Sequence, residues 1–382
     1  MATGFGLANR FRPKAIAVET ISNSPDEDAP RRIAPLAPVL FRKDSDEAAS
    51  IQRVLRSPQP GPRNLPYCLH LIRLYGWGSI PGPHFTNGRE VLAALTDLAS
   101  SERYFGEPAF FQTRSGIRYR TLDVATASGA ENHRDVCLAT FAEAGLPLST
   151  EFTTPKETFH LRDLLRDSVQ NFHLQQKELP WTAIAYALYP SVGSRWTNRF
   201  GESFGWDELT EALLTAPFER NSCGGTHLLY ALMLIRRTDR PLSTSVRAKL
   251  EERLKAAITS AIARQAADGH WPADWWADAP SKPVGDNRKI DDSNFTRLLI
   301  TGHLLECLTF APPGLQTPPE VYRRAARWLC RVLPDDRIDS KVSICPRTHA
   351  VCAVRNLVEA NRNEVANRLP GPENVAGDVR LL

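Results

Sequence analysis

A chain of 382 residues, 42% hydrophobic and 24% charged, can bury one large core or two ordinary ones. Its 47 basic and 43 acidic residues leave a net charge of only +4, with no Lys/Arg block, which argues against a nucleic-acid or membrane-surface role. No stretch reaches the roughly 20 apolar residues of a membrane span, and the first residues lack an apolar core of signal-peptide length. Seven cysteines, most of them in apolar runs such as YCLHL and LLECLTF, read as reduced thiols rather than a disulfide framework. The expectation is a soluble cytoplasmic protein.

Residues 1–43 carry little periodicity and hold the polar stretch SNSPDEDAPRRIAPLAP, which reads as an extended, partly disordered arm. The structured domain is expected over 44–382. DEAASIQRVLRS is amphipathic, with Ile51, Val54 and Leu55 on one stripe. PYCLHLIRLYG is apolar nearly all round, and Gly76 is placed to end it. The alternation then repeats. Amphipathic runs lie near 89–100, 158–174, 206–216, 243–265 and 318–332; apolar runs lie near 133–144, 181–189, 226–236, 296–310 and 348–359. Breakers such as Pro180, Pro217, Pro241 and Pro346 separate many of them.

Twelve helices in six pairs follow. One helix of each pair is half-exposed and belongs outside, and the other is enclosed by neighbours. The expected fold is all-α, an α/α toroid of six helix hairpins whose inner helices run parallel and share one rim of N-termini. An open α-solenoid would keep the pairs and lose that convergence. Two insertions fall between an outer helix and the next inner one, and so on that rim. Residues 108–122 carry a β-hairpin signal around Ser115-Gly116, and 268–295 form a polar loop holding Trp271, Trp275 and Trp276.

Five of the nine histidines stand at the front of apolar runs: His70, His133, His227, His303 and His349. Trp181 takes that place in the remaining run. The successive intervals through His70, His133, Trp181, His227, His303 and His349 are 63, 48, 46, 76 and 46 residues, the rhythm of a repeated two-helix unit. On a closed ring these positions meet at one mouth.

The string Gln265-Ala-Ala-Asp-Gly269-His-Trp271 resembles the QW repeat of the terpenoid cyclase and protein prenyltransferase superfamily, and the segments CGGTH and TGHLLE look like uncharacterised bacterial members of that toroid type. The resemblance covers this one repeat and the helix rhythm over about 45–360. It implies the α6/α6 toroid. It does not carry activity across, because the Asp-x-Asp-Asp acid of the class II cyclases and the DDxxD of prenyl diphosphate binding are both missing. Asp291-Asp292 and Asp335-Asp336 lack the required spacing. Prenyltransferases of this fold hold zinc with an Asp, a Cys and a His, and here the motif around such ligands is not recognisable.

Cys223-Gly-Gly-Thr-His227 and Cys345-Pro-Arg-Thr-His349 share the form C-x2-T-H. Cys and His four apart lie on one helix face, so Cys223, His227 and His349, with Cys345 and His303, are candidate zinc ligands. The plainer reading makes Thr226 and Thr348 helix caps and the cysteines buried thiols. The histidines suit acid/base work near neutral pH, and converging helix N-termini favour neutral imidazole and an anionic ligand. Glu178, Glu306 and Asp135 are the carboxylates nearest the expected mouth, as orienting partners or as ordinary ion pairs. Trp181, Trp271, Trp275 and Trp276 are candidate surfaces for an isoprenoid, a glycan or another small molecule, beside Trp77, Trp196, Tyr186 and Tyr230. The function expected is small-molecule or glycan binding at the mouth, with catalysis there. A carbohydrate-active hydrolase or lyase would need paired carboxylates across the mouth. A non-catalytic protein-interaction scaffold would leave no cavity.

Overall fold

The structure is a computed structural model, and it describes residues 27–37, 46–56, 61–76, 84–122, 128–277, 293–333 and 344–368, together with Ile21, Ser22, Ser24, Gly78 and Ile80. The acidic pairs at 291–292 and 335–336, Trp77 and most of the arm lie outside these residues. The described residues form thirteen α-helices and seven short strands. In chain order the helices are α1 (Asp46–Arg56), α2 (Leu65–Tyr75), α3 (Gly88–Thr96), α4 (Leu98–Phe105), α5 (Val136–Glu143), α6 (Leu161–Gln170), α7 (Leu179–Leu188), α8 (Trp206–Thr215), α9 (Thr226–Arg237), α10 (Thr244–Arg264), α11 (Asn294–Leu308), α12 (Pro319–Val332) and α13 (Ile344–Arg368). None of them is long and apolar enough to cross a membrane.

Local chemistry sets the helix ends. Asn64 caps α2 by accepting from the Tyr67 N–H, Pro66 sits in the first turn where its missing N–H costs nothing, and Gly76 ends the helix at φ +56°. One expectation fails at Asp97. The run near 89–100 breaks there into α3 and α4, because the Asp97 carboxylate caps the Ser100 N–H at 2.7 Å and restarts the helix.

The enclosed and half-exposed helices are those the periodicity picks out. Every residue of α7 is buried, as is α9 from Thr226 to Ile235. By contrast α12 buries a stripe of Val321, Tyr322, Ala325, Ala326, Trp328 and Leu329. The apolar helices pack on one another in sequence: α2 on α5, α5 on α7, α7 on α9, α9 on α11, α11 on α13, and α13 back on α2. The amphipathic helices lie against them: α3 on α2, α6 on α5, α8 on α7 and α9, α10 on α8 and α9, α12 on α11 and α13, and α1 on α12 and α13.

The strands form small pieces around the helices. β1 (Phe110–Gln112) and β2 (Ile117–Thr121) make the hairpin expected within 108–122, and β3 (Ala130–Glu131) adds in parallel to β2. Asp167 of α6 ties this hairpin down, accepting from Thr113 and Ser115 and pairing with Arg118 at 2.6 Å. Two further hairpins have no counterpart in the sequence reading. β4 (Glu151–Thr153) pairs with β5 (Thr158–His160), and β6 (Arg195–Thr197) with β7 (Ser203–Gly205).

Part of the arm is extended and packed. Residues 27–37 cross the C-terminal ends of apolar helices, where the last carbonyls need donors from outside the helix. The Arg31 N–H reaches the Leu188 carbonyl at 2.8 Å, the Leu36 N–H reaches Thr309, and the Arg31 guanidinium reaches the Thr238 carbonyl. Asp28 pairs with Arg162 at 2.9 Å.

The helices α11 and α13 approach each other closely. A Cβ on Gly302 would stand 2.7 Å from the backbone N of Ala350. Gly302→Ala should therefore cost about 1–3 kcal/mol through overpacking, despite alanine's better helix propensity. Chemical denaturation checks this, and an unchanged or raised midpoint would show that the two helices can part without loss.

Candidate metal centre

The six positions marked in the sequence come together. Ring contacts run from His133 to Trp181 (centroids 6.2 Å apart), Trp181 to His227 (4.4 Å), His227 to His303 (5.3 Å), His303 to His349 (3.6 Å) and His349 to His70 (5.4 Å). Five of the six line a cavity of about 250 Å³ whose wall includes His70, His133, Trp181, Cys223, His227, Cys345 and His349, with Leu69, Val136 and Ile344 as apolar surface. His303 is 1% exposed and is not part of that wall.

The depths along the helices differ from the expectation. His227 is near the start of α9 and His133 precedes α5, but His70 and His349 lie in the second turns of α2 and α13, and His303 in the third turn of α11. The helices begin a little before the runs near 66–76, 296–310 and 348–359, at Leu65, Asn294 and Ile344. Asn64, Pro66 and Ser293 start α2 and α11 before the first marked residue, and polar side chains there hide the true ends.

Cys223 arrives on strained backbone. It has φ +52°, and Gly224 and Gly225 follow at +64° and +79°, so three left-handed residues turn the chain into α9. Glycine adopts this conformation freely and cysteine does not. Thr226 does not cap the helix as expected; its hydroxyl donates to the Cys223 carbonyl at 2.9 Å and braces the turn. Cys345 differs. It is already within α13, with Pro346 harmless in the first turn, so Cys345 and His349 share a helix face. Thr348 is a helix-interior residue, 1% exposed, not a cap.

The tryptophan loop turns inward, against the expected ligand-binding role. Trp271 and Trp275 are fully buried, and neither they nor Trp276 belong to the cavity wall. Trp271 Nε1 donates to Ala261 at 2.7 Å, while Trp275 Nε1 donates to the Gly224 carbonyl at 2.8 Å and its ring packs on Phe218. A buried indole needs an acceptor, and backbone carbonyls supply it. Trp275 thus supports the turn that carries Cys223. The Gln265–Gly269–Trp271 string is likewise an internal tie. Gln265 Nε2 donates to Gly269 and Val321, and Gly269 passes the Arg324 carbonyl where a Cβ would stand at 2.2 Å.

Three imidazoles are held in one tautomer. Nδ1–H of His70 donates to Pro66 at 2.6 Å, that of His303 to Leu299 at 2.7 Å, and that of His349 to Glu306 at 2.6 Å. Each leaves Nε2 with its lone pair, the arrangement that a backbone carbonyl or carboxylate imposes on metal-binding histidines. Glu306 orients His349, not the His303 one turn before it. His227 has no hydrogen-bond partner of normal geometry at either ring nitrogen.

Burial opposes the charged form of three of these imidazoles, His70, His227 and His349. Burial pulls His70 down to about 4 and lowers His227 and His349 as well; around His349 the neighbouring His303 and Arg73 add to the effect. The Cys223 thiol is held well below its ordinary value, first by a hydrogen bond from Cys345 and then by His303 and His227, while the same hydrogen bond and burial push Cys345 well up. A thiol that ionises readily among imidazole nitrogens is a metal-ligating donor set. The nitrogen and sulfur atoms group within 4.8 Å of one another as Cys223–His303–Cys345, as His70–Cys345–His349 and as His227–His303–His349.

Two other carboxylates complete the picture. Glu178 stands just before α7 at φ +60°, 3.3 Å from His133 Nδ1 and 2.5 Å from Ser222 Oγ. Burial alone would raise its pKa, but those hydrogen bonds hold it below the ordinary range. Asp135 belongs elsewhere, accepting from Ser168 and Thr182.

Arg73 and Glu143 escaped the sequence reading. Arg73 pairs with Glu143 at 2.8 Å and Glu306 at 3.4 Å, all largely buried. Burial opposes its charge, yet the two carboxylates outweigh that and raise its pKa. The available signal was a charged residue inside each of two otherwise apolar runs.

Arg73→Met leaves two buried carboxylates without their cation and should cost about 3–5 kcal/mol in urea unfolding; a loss under 1 kcal/mol would mean that water reaches the cluster. Trp275→Phe keeps the packing and removes the bond to Gly224, for a loss of about 1 kcal/mol together with roughly 10-fold weaker metal retention; unchanged retention would separate the Trp275 bond from the Cys223 turn. Comparison with protein-family models, with curated proteins and with solved structures finds no match to this chain, so the chemistry of the site is argued from its geometry.

Proposed function

We propose that this chain is an α6/α6 toroid of the terpenoid cyclase and prenyltransferase type, and that it binds a small molecule over a zinc ion at the mouth of its inner helices and acts on it there. The cyclic packing of six apolar helices supports the toroid. The single observation that carries the function is the convergence of Cys223, His303 and Cys345 beside a cavity whose wall includes both cysteines. Two thiols and an imidazole suit zinc, and three protein ligands leave a coordination position open. Zinc bound there would supply Lewis acidity to a ligand in the cavity.

The chain's own groups have definable tasks. His70 and His349 present neutral Nε2 atoms to the cavity as proton acceptors or further ligands. His133 and Glu178 form an acid/base pair at its edge. Trp181 offers an apolar face, and its Nε1–H, which has no acceptor among the described residues, suits a polar atom of the ligand. An isoprenoid or another small, largely apolar molecule fits this wall better than a glycan. The hydrolase or lyase alternative needs two opposed carboxylates, and the described wall contains no acidic side chain. The cavity itself speaks against the scaffold alternative. Seven unpaired cysteines suit a reducing, cytoplasmic setting.

Metal analysis of the purified full chain tests this reading. Zinc should be present at one equivalent or more per chain, and Cys223→Ala and His303→Ala should each lose at least one equivalent while keeping the helical circular dichroism. Folded wild-type protein that neither contains nor takes up zinc would end the proposal.

A further inference from the structure

Six nitrogen and sulfur donors crowd this site: His70, His227, His303, His349, Cys223 and Cys345. A tetrahedral zinc ion takes four ligands, and a catalytic one takes three from the protein. The surplus has a definite arrangement. The rings of His303 and His349 are stacked, with centroids 3.6 Å apart and planes within 24° of parallel. An imidazole lone pair lies in the plane of its ring, so neither lone pair of a face-to-face pair points along the stacking direction. Two such rings cannot converge on one ion. The trio His227–His303–His349 is therefore not a ligand set as it stands. Each of the other two trios takes one ring of the stack, and Cys345 belongs to both.

Resting on the zinc reading above, we propose that the centre holds two metal ions, one on Cys223, His303 and Cys345 and the other on His70, His349 and Cys345, with the Cys345 thiolate bridging them. A thiolate sulfur has lone pairs for two ions, and paired catalytic ions elsewhere stand about 3.5–4 Å apart. His70 and His349 come from neighbouring helices, and each spends Nδ1–H on an oxygen, which aims Nε2 away from that anchor. His227, buried and with neither nitrogen in a hydrogen bond of normal geometry among the described residues, lies beside His303 and His349 as a fourth ligand.

The charges fit a second dication. The cation against His349 is Arg73, whose Nη1 lies 3.1 Å from Nδ1 and 3.4 Å from Nε2. It stands against two carboxylates, Glu143 and Glu306, so this trio carries one net negative charge. An ion on His349 takes the place of the Arg73 contact and leaves Arg73 on its carboxylates. Two zinc ions, two thiolates and that trio then sum to one positive charge, which a hydroxide or another monoanionic ligand in the cavity neutralises.

The test is metal content and magnetic coupling, without reference to activity. Full-length protein is stripped, reloaded with Zn(II) or Co(II), desalted and assayed for metal per chain. Two equivalents are expected, falling to one in His70→Ala and, separately, to one in His303→Ala. Wild-type protein with two Co(II) should show an electron paramagnetic resonance signal attenuated by coupling through the shared sulfur, with a full signal per ion in His70→Ala. The wild-type measurement stands even if a variant fails to fold. Saturation at one equivalent, or two equivalents without coupling, would overturn the bridged pair and leave the single-ion reading intact. No uptake would overturn both.

Discussion

The backbone of α11 approaches that of α13 so closely that residue 302 has no room for a Cβ. Everything at the centre of the site depends on that approach. It places His303 and His349, next along each helix, face to face at 3.6 Å, and it brings Cys345 beside His303. Burial first, and then the neighbouring His303, hold His349 well below its ordinary pKa. Packing of small residues thus sets the placement of the polar ones, and the ligating capacity of the site follows from steric fit.

A second constraint acts from below. Arg73 is an interior cation, and the fold tolerates it by surrounding it with Glu143 and Glu306 rather than by giving it water. One of those carboxylates also fixes the tautomer of His349. The site is consequently continuous with the stability of the fold. A change at Glu306 disturbs an ion pair, a histidine orientation and the floor of the cavity together, so mutational effects in this cluster will not add.

The enclosed helices were legible because α5, α7, α9 and α11 are apolar on every side, which is a property of composition and survives any choice of neighbour. The C-x2-T-H pairs and the histidine series were legible for a related reason: polar residues are conspicuous in apolar runs. The same rule would have found Arg73 and Glu143 had charge been read as closely as imidazole. Direction was not legible. Trp271 and Trp275 occupy a polar loop, and sequence context says nothing of whether an indole faces solvent, ligand or core; the acceptors that draw them inward are the carbonyls of Ala261 and Gly224, which carry no residue signature. The hairpins at β4–β5 and β6–β7 escaped because three-residue strands are too short to show a period of two.

The extended arm has a consequence for how the molecule is made. Residues 31–36 hydrogen-bond to carbonyls at Leu188, Thr238 and Thr309, so a segment near the start of the chain finds its partners up to about 270 residues later. During synthesis it emerges before its partners and has nothing to bind until α7, α9 and α11 have followed. Its long-range contacts come late by necessity, since each closes a very long loop. The arm therefore acts as a completion check: its docking surface exists only once helices from the middle and later parts of the chain stand side by side.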